Sequence, residues 1–174
     1  NFVEIPLAKL TSKKYAHDLS KLIENGEKAA VERLNPFYES KDTTQVSVVD
    51  KEGNAFSMTH SLGMPSGVIT EGLGFMYNGC MGVFDPRPGR AGSLSPGKSR
   101  FSSICPSILF DQGKLKMVIG APGGTHIVMG VLQAILNVVD FKMSMQDAVS
   151  VPRFSGNSPL IDVSNRIPRF ITEE

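Results

Sequence analysis

Tryptophan is absent from this 174-residue sequence, and cysteine and histidine are scarce. The two cysteines, Cys80 and Cys105, lie far apart and outside any metal-ligand spacing, so the sequence predicts buried thiols and no disulfide framework. The three histidines, His17, His60 and His126, are also separated without metal spacing. We therefore expect no zinc site.

An excess of charge of either sign is missing too. The formal net charge is +1, and no basic cluster is interleaved with aromatic residues, so we expect no nucleic-acid partner. No apolar run approaches the length of a membrane span, and the opening "NFVEIPLAKL" has neither the charged start nor the apolar run of a signal peptide. The sequence therefore does not indicate a cellular compartment.

The residues that are present suit one domain, because 41% of them are apolar and can form a core. An amphipathic helix is predicted in "TSKKYAHDLSKLIENG", capped by Thr11 or Ser12 and ended by Gly26, with an apolar stripe of Tyr15, Leu19, Leu22 and Ile23. The polar stretch that follows, up to Asp42, predicts a short helix and an exposed linker.

Two hairpins come next. Polar and apolar residues alternate over 45–49 and 55–59, around a turn at Gly53-Asn54. A glycine-rich region from "GMPSGVITEGLG" to "GRAGSLSPGK" predicts irregular loops around a pocket. The stretch "SILFDQGKLKMVIG" then predicts a second hairpin that turns at Asp111-Gln112-Gly113.

The third part of the sequence is helical. Residues 127–139 are apolar on nearly every face apart from Gln133 and Asn137, which predicts a helix buried on both sides, between layers. Ser144 with Asp147 resembles a capping box for a short helix that stops before Pro152. Hairpins packed with buried helices make an α+β layered domain. The ending "RFITEE" predicts no clear final element and looks truncated.

Two stretches match known motifs, but the residues around them do not support either function. "GSLSPGKS" has the spacing of a phosphate-binding P-loop, but Pro86 and Pro88 upstream exclude a central strand and Pro106 downstream excludes the helix. By residue type alone, a hydrolase triad could be formed by His60, Ser61 and either Asp50 or Asp85. Neighbouring residues on a strand point to opposite faces, however, so we expect His60 to be a surface residue.

Two further features carry chemistry. In "IGAPGGTHIVMGVLQ" a strand ends at Pro122-Gly123-Gly124 and a helix begins near Thr125, so the N–H groups there suit an anion or an oxyanion, or simply form a tight turn. Thr43-Thr44 stands where a polar linker ends and a strand starts. Threonine is common at the start of a strand, so by itself this pair indicates a structural role rather than a catalytic one.

Taken together, these segments resemble the gamma-glutamyltranspeptidase family. "YESKDTTQVSVVDKEGN" is similar to the junction where the family's large subunit ends near "YES" and its small subunit opens with "TTHxSVVDxxGN". The resemblance continues through "SPGKSRFSSICPSILF", "GAPGGTHI" and "VLQAILNVVDFKMSMQDAV". It covers nearly the whole chain, in order.

The resemblance implies an N-terminal-nucleophile (Ntn) hydrolase fold, an αββα sandwich. Residues 1–42 would be the end of the large subunit, and residues 43–174 most of the small subunit, within a much longer protein that forms a heterodimer after cleavage. Autoprocessing at Asp42-Thr43 would expose Thr43 as nucleophile and, through its α-amine, as base. The substrate would be a small amide, gamma-glutamyl or a related acyl amide, and no metal or organic cofactor is implied.

The same resemblance assigns further residues. Gly123 and Gly124 match the oxyanion-hole pair, Ser102 and Ser103 match paired serines on the substrate's α-carboxylate side, and Ser61 stands where a threonine hydrogen-bonds the nucleophile. "GSLSPGKS" would then be the lead-in to the serine pair.

Four positions depart from the family pattern. Gly63 replaces an asparagine that binds the glutamyl α-carboxylate, Cys80 and Val83 replace a glutamine and an aspartate that hold the α-amino group, and Gln45 replaces a histidine. Losing paired polar groups weakens recognition of an amino-acid head. The alternatives are therefore a cephalosporin or glutaryl-type acylase with altered acyl specificity, and a non-catalytic scaffold or binding homologue.

Overall fold

The computed structural model describes residues 4–28, 42–156 and 160–172. Its helices are α1 (Leu7–Leu10), α2 (Lys13–Glu24), α3 (Ile127–Val139), α4 (Met145–Ser150) and α5 (Arg169–Thr172). Its strands are β1 (Thr43–Val49), β2 (Ala55–Ser61), β3 (Pro65–Ile69), β4 (Met76–Asn78), β5 (Ser107–Asp111), β6 (Lys114–Ile119), β7 (Phe154–Ser155) and β8 (Asp162–Val163). The predicted mixture of α and β elements is confirmed.

Helix α2 follows the sequence prediction in both of its ends. The Ser12 hydroxyl accepts a hydrogen bond from the Tyr15 N–H at 3.1 Å, and Gly26, with φ of 75°, follows the last turn. Its apolar stripe is exposed, because Leu19, Leu22 and Ile23 are not covered by any described residue. The short helix and linker predicted after it fall mostly on 29–41, which lie outside the described residues.

Strands β1 and β2 form the first predicted hairpin. They are antiparallel and in register from Thr43 opposite Ser61 to Val49 opposite Ala55. The turn is held by the Asp50 carboxylate, which accepts hydrogen bonds from the Asn54 N–H at 2.8 Å and from the Asn54 side-chain amide at 2.7 Å. These bonds, led by the one from the Asn54 side chain, lower the pKa of Asp50.

Strands β5 and β6 form the second predicted hairpin, which turns at Gln112-Gly113. Both turn residues have positive φ, 48° and 78°, as two-residue hairpin turns of the primed type require. Asp111 still belongs to β5. The prediction of this hairpin is confirmed, with its turn one residue shorter.

Helix α3 has the predicted length but is buried on one side only. Ile127, Val131, Ala134 and Val138 are buried, and Val138 packs with Met117 of β6 and Ala148 of α4 in the core. The opposite side is exposed, at Val128, Leu132, Leu136 and Val139. The expectation of burial on both sides is wrong for this chain, because no described element covers that second face.

The two polar residues of α3 join it to the elements that follow. Gln133 donates to the Phe154 carbonyl at 2.7 Å and accepts from the Phe154 N–H at 3.2 Å. The Asn137 side-chain amide donates to the Ala148 carbonyl at 3.3 Å. An amide side chain can donate and accept at once, so Gln133 satisfies both backbone groups of one strand residue.

The capping box predicted for the short helix is also present. The Ser144 hydroxyl accepts from the Asp147 N–H at 3.1 Å, and α4 ends at Ser150, before Pro152. Beyond it the sequence reading is wrong in one respect, since the end of the chain, expected to hold no clear element, contains α5. None of the described helices has the length and apolarity that a membrane span requires.

The glycine-rich region is more ordered than predicted. It contains the antiparallel pair β3–β4 and a 3-10 turn at Cys80–Val83 before it becomes irregular. Cys80 and Cys105 are free and half-buried, so the expectation of buried thiols is wrong for both. The residues around each cysteine cover only part of its side chain.

An ion pair between the buried Asp85 and the exposed Arg87 organises the irregular part. The carboxylate of Asp85 accepts hydrogen bonds from the Arg87 side chain, Nη2 at 2.9 Å and Nε at 3.0 Å, and from the Arg87 N–H at 2.9 Å. These contacts, first of all the side-chain hydrogen bond of Arg87, lower the pKa of Asp85. The Ser93 hydroxyl closes the same loop by accepting from the Arg90 N–H at 2.8 Å.

The Asp85 pair predicts a pH effect. Because the folded pKa is depressed below the ordinary value of 3.8, the carboxylate stabilises the fold above about pH 4, and this is lost as pH falls through the folded pKa. We expect Asp85→Asn to lower the melting temperature of the full-length protein at pH 7, with a difference that shrinks below about pH 4. Asp111→Asn is the control, since that exposed carboxylate lies 3.9 Å from Lys116. Identical pH profiles for both variants would contradict the assignment.

Candidate active site

The Thr43 hydroxyl is fixed at the start of β1. Thr43 lies directly opposite Ser61 in the hairpin, and its Oγ1 donates a hydrogen bond to the Ser61 Oγ at 2.9 Å. Ser61 Oγ also accepts from the Gly63 N–H at 2.9 Å, so the serine is itself held. Directly opposed residues of an antiparallel pair have Cβ atoms about 5 Å apart, which is why two short hydroxyl side chains can meet here.

One face of the hairpin is polar. Side chains alternate along a strand, so this face carries Thr43, Gln45, Ser47, Ser57, Thr59 and Ser61. The other face carries Thr44, Val46, Val48, Phe56, Met58 and His60, all exposed. His60 therefore lies on the face away from Ser61, as predicted.

The remaining members of a hydrolase triad are also unsuitably placed. Asp50 lies in the turn at the far end of the hairpin, and its carboxylate is hydrogen-bonded to Asn54. Asp85 is paired with Arg87. A base and its orienting carboxylate must be within hydrogen-bond reach of each other, so the structure excludes the triad with His60.

Gln45 joins the polar face of the hairpin to β6. Its side-chain amide donates to the hydroxyls of Ser47 and Ser57, both at 3.0 Å, and accepts from Thr59. Ser57 Oγ in turn donates to the Ile119 carbonyl at 3.1 Å. The end of β6 therefore lies against the face that carries Thr43.

Gly120 shows how close this approach is. A Cβ at position 120 would overlap the side-chain amide of Gln45. A side chain at position 120 would push the Gln45 amide out of its hydrogen bonds. Sequence reasoning missed both the role of Gln45 and that of Gly120, and the only signal was a glycine directly after an apolar strand.

The turn after β6 contains the two predicted oxyanion-hole glycines. Gly123 and Gly124 have φ of 134° and 56°, and a 3-10 turn, Gly124–His126, leads into α3. The Gly123 carbonyl accepts from the His126 N–H at 3.0 Å. Within the described part of the chain, the N–H groups of Gly123 and Gly124 donate no hydrogen bond, so both can serve a bound oxygen.

Of the two predicted serines, Ser103 is joined to this turn. Its hydroxyl donates to the Gly124 carbonyl at 2.6 Å. Ser102 is exposed, and its hydroxyl accepts from the Ile104 N–H at 3.2 Å. Between residues 84 and 106 no strand leads into the stretch 92–99 and no helix follows it, so the stretch lacks the context of a P-loop.

Two of the departing positions are in contact. A Cβ at Gly63 would lie 2.8 Å from the Cys80 Sγ, and the thiol itself donates to the Leu62 carbonyl at 3.3 Å. Gly63 also has φ of 68°, which disfavours most side chains. The Cys80 thiol therefore occupies the space where a side chain at position 63 would lie, two residues after the serine that is hydrogen-bonded to Thr43.

The arrangement suits an acyl-transfer site better than a metal site. It combines a hydrogen-bonded hydroxyl at a strand start with a glycine turn whose N–H groups can bind an oxyanion. In the described ranges, no group of three or more histidine, cysteine, aspartate or glutamate side chains could hold a metal ion.

Comparison with known proteins places this geometry in context. Residues 1–169 match the family model described as gamma-glutamyltranspeptidase. Curated relatives include the Acylase ACY 1 proenzyme of a Pseudomonas species, 36% identical over 99% of this chain and 31% of the relative. They also include the glutathione hydrolase proenzyme of Escherichia coli strain K12, 33% identical over 88% of this chain and 29% of the relative. The chain thus spans about a third of the length of these relatives.

Solved structures agree. A mutant of the Helicobacter pylori gamma-glutamyltranspeptidase is 36% identical with a TM-score of 0.61, covering 64% of this chain and 67% of that one. A highly active mutant of the Pseudomonas nitroreducens gamma-glutamyltranspeptidase has a TM-score of 0.64 at 31% identity, covering 75% of this chain and 78% of that one. Both share the mixed α and β content of this chain.

The contact at Gly120 gives a stability prediction. Gly120→Ala forces a methyl group against the hydrogen-bonded Gln45 amide, and overpacking of this kind costs about 1–3 kcal/mol. We expect denaturant unfolding of the full-length protein to show that loss. Gly156→Ala is the matched control, because a Cβ there meets no atom within 4 Å. Equal stability of the two variants would contradict the prediction and would mean that the Gln45 side chain moves aside without an energetic cost.

Proposed function

The chain belongs to the gamma-glutamyltranspeptidase family, and we propose that it carries the nucleophile of an autoprocessing threonine amidohydrolase of the Ntn type. One observation carries the proposal: the Thr43 Oγ1 is held at 2.9 Å from Ser61 Oγ, at the start of a strand. The face it occupies packs against the strand that leads to Gly123 and Gly124, the candidate oxyanion donors.

Autoprocessing would use the peptide bond before Thr43. The Thr43 Oγ1 attacks the Asp42 carbonyl carbon, and the C–N bond breaks as the new ester C–O bond forms. The proton of the hydroxyl passes to the Thr43 nitrogen, which becomes a free amine. Water then hydrolyses the ester and returns the hydroxyl. While the chain is continuous the Thr43 nitrogen is an amide and cannot act as a base, so cleavage creates the catalytic group.

The mature site would transfer acyl groups. A free α-amine has a pKa near about 8, so near neutral pH the Thr43 amine can take the proton of its own hydroxyl as Oγ1 attacks a substrate amide. The N–H groups of Gly123 and Gly124 would stabilise the tetrahedral oxyanion, and one such donor contributes about 3 kcal/mol. The amine of the leaving group departs with that proton, and water or another amine releases the acyl group from Thr43. Ser61 would position the nucleophile.

The family also implies subunits and layers. We propose that residues 1–42 end the large subunit, that residues 43–174 form most of the small one, and that the two make a heterodimer with an αββα sandwich. The apolar face of β1–β2, at Val46, Val48, Phe56 and Met58, supports this, since it is exposed here. A chain that spans 31% of a relative leaves further residues to cover it.

The acyl substrate is either gamma-glutamyl or a related group such as glutaryl. Gly63 supplies no side chain to bind the glutamyl α-carboxylate, and the Cys80 thiol lies against that position, which is the observation behind the alternative of altered acyl specificity. Val83 adds no polar group to hold an α-amine. Ser102 and Ser103 remain as hydroxyl partners for the far end of the acyl chain.

Cleavage tests the proposal against a non-catalytic scaffold. We expect the full-length protein to be cut between Asp42 and Thr43 and Thr43→Ala to stay intact, because alanine has no nucleophile. Ser61→Ala should be cleaved more slowly, by about fivefold, through loss of a hydrogen bond worth about 1 kcal/mol. Intact-mass spectrometry over time gives the readout, with Thr44→Ala as control. A wild-type protein that stays uncut would contradict the proposed catalysis and favour the non-catalytic scaffold.

A substrate panel tests acyl specificity. We expect glutaryl anilide to be cleaved with a kcat/KM at least about tenfold above that of gamma-glutamyl anilide, because the unpaired α-amino group must be desolvated. Release of the aniline is followed by absorbance, with a simple acetyl anilide as control. A preference for the gamma-glutamyl compound would show that Gly63 and Cys80 do not weaken glutamyl recognition.

A further inference from the structure

The contact between the two hairpins lies between the proposed nucleophile and the proposed oxyanion donors. Gln45 stands two residues after Thr43 on the same face of β1, and it lies directly opposite Thr59 of β2. On the other side of the contact, Gly120 follows β6 and comes three residues before Gly123. The Gln45 amide lies against the backbone of Gly120, where a Cβ would overlap it.

The Gln45 amide is hydrogen-bonded at both of its ends. Its Oε1 accepts from the hydroxyl of the buried Thr59. Its Nε2 donates to the hydroxyls of Ser47 and Ser57, both at 3.0 Å, and to the Val46 carbonyl at 2.9 Å. An amide turned the other way would offer Ser57 an acceptor in place of a donor, so the orientation of this side chain decides what Ser57 can do.

Ser57 carries the connection onward to β6. A serine hydroxyl has one proton to donate, and because Ser57 Oγ accepts from Gln45 it can donate that proton to the Ile119 carbonyl at 3.1 Å. Ile119 is the last residue of β6, directly before Gly120. The hydrogen bonds that start at Gln45 therefore reach the backbone from which the glycine turn begins.

The glycine turn has little freedom once the end of β6 is held. Three residues separate Gly120 from Gly124, and the ring of one of them, Pro122, fixes its φ. At the far end the Ser103 hydroxyl donates to the Gly124 carbonyl at 2.6 Å. The turn is thus anchored at both ends, and its position relative to Thr43 depends on where β6 ends.

We propose that Gln45 and Ser57 are positioning residues, which hold the oxyanion donors at the correct distance from the Thr43 hydroxyl, and this inference rests on the proposed acyl-transfer function. Both act through the end of β6 and not on the substrate. Oxyanion donors stabilise the transition state when they lie about 3 Å from the oxygen that becomes negative. A displaced turn therefore lowers kcat and leaves the binding of the acyl group unchanged.

Ser57→Ala and Ser47→Ala form a matched pair of variants. Each removes one hydroxyl that accepts from Gln45 Nε2, but among the described residues only the Ser57 hydroxyl also donates to Ile119. The substrate is whichever of glutaryl anilide and gamma-glutamyl anilide the wild type hydrolyses faster. In the cleaved full-length protein we expect Ser57→Ala to lower kcat about fivefold at an unchanged KM, and Ser47→Ala to change neither constant.

The measurement has to separate misalignment from incomplete maturation. The kcat is therefore expressed per cleaved chain, counted by intact-mass spectrometry, and is measured well below the melting temperature of both variants. An equal kcat in Ser57→Ala and Ser47→Ala would overturn the inference. A loss in Ser57→Ala that lies in KM instead of kcat would overturn it as well, because it would indicate a role in substrate binding.

Gln45→Met is the second test, because it keeps the length of the side chain and removes every hydrogen bond of the amide. We expect kcat to fall at least about tenfold, with KM changed by less than about twofold. Gln146→Met is the control, since that exposed amide donates to Ser150 on α4. A folded Gln45→Met protein with full kcat would overturn the inference. Should Gln45→Met not fold, the matched serine pair decides.

The positioning role and the proposed function fail in different ways. A wild type that neither cleaves itself nor hydrolyses either anilide contradicts the proposed function, and the positioning role falls with it. A wild type that does both, beside a Ser57→Ala protein with full kcat, overturns the positioning role alone.

Discussion

A chain of hydrogen bonds, from Gln45 to Ser57 and from Ser57 to the Ile119 carbonyl, joins the two hairpins on which the site depends. Gln45 lies on the same face as Thr43 and is fixed by Ser57 and Thr59, while Ser57 reaches the Ile119 carbonyl. The strand that it contacts continues directly into the glycine turn. The proposed nucleophile and the proposed oxyanion donors thus belong to separate parts of the sequence, and the Gln45 amide lies against the backbone of Gly120 between them.

Most of the local structure could be predicted, because each element carries its own signal. The alternation around Gly53, the capping serines 12 and 144, and the apolar run of α3 all lie within a few residues of what they determine. The pairing of Thr43 with Ser61 also follows from the register of a hairpin whose turn is recognisable. These parts of the candidate site were accessible from sequence patterns and family resemblance.

The rest depends on contacts between distant segments, which no local pattern encodes. Glycine-rich sequence between 63 and 83 gave no alternation, so β3–β4 and the contact of Gly63 with Cys80 were missed. The one-sided burial of α3 was missed because apolar composition records what a helix can bury and not what surrounds it.

The outer stripe of α3 bears on how the chain associates with other surfaces. Val128, Leu132, Leu136 and Val139 are each at least 38% exposed, in line along one helix. Such a stripe attracts other chains for as long as it is bare. Any surface that packs against this stripe has to be apolar along the length of the helix, and until one does so the stripe favours self-association.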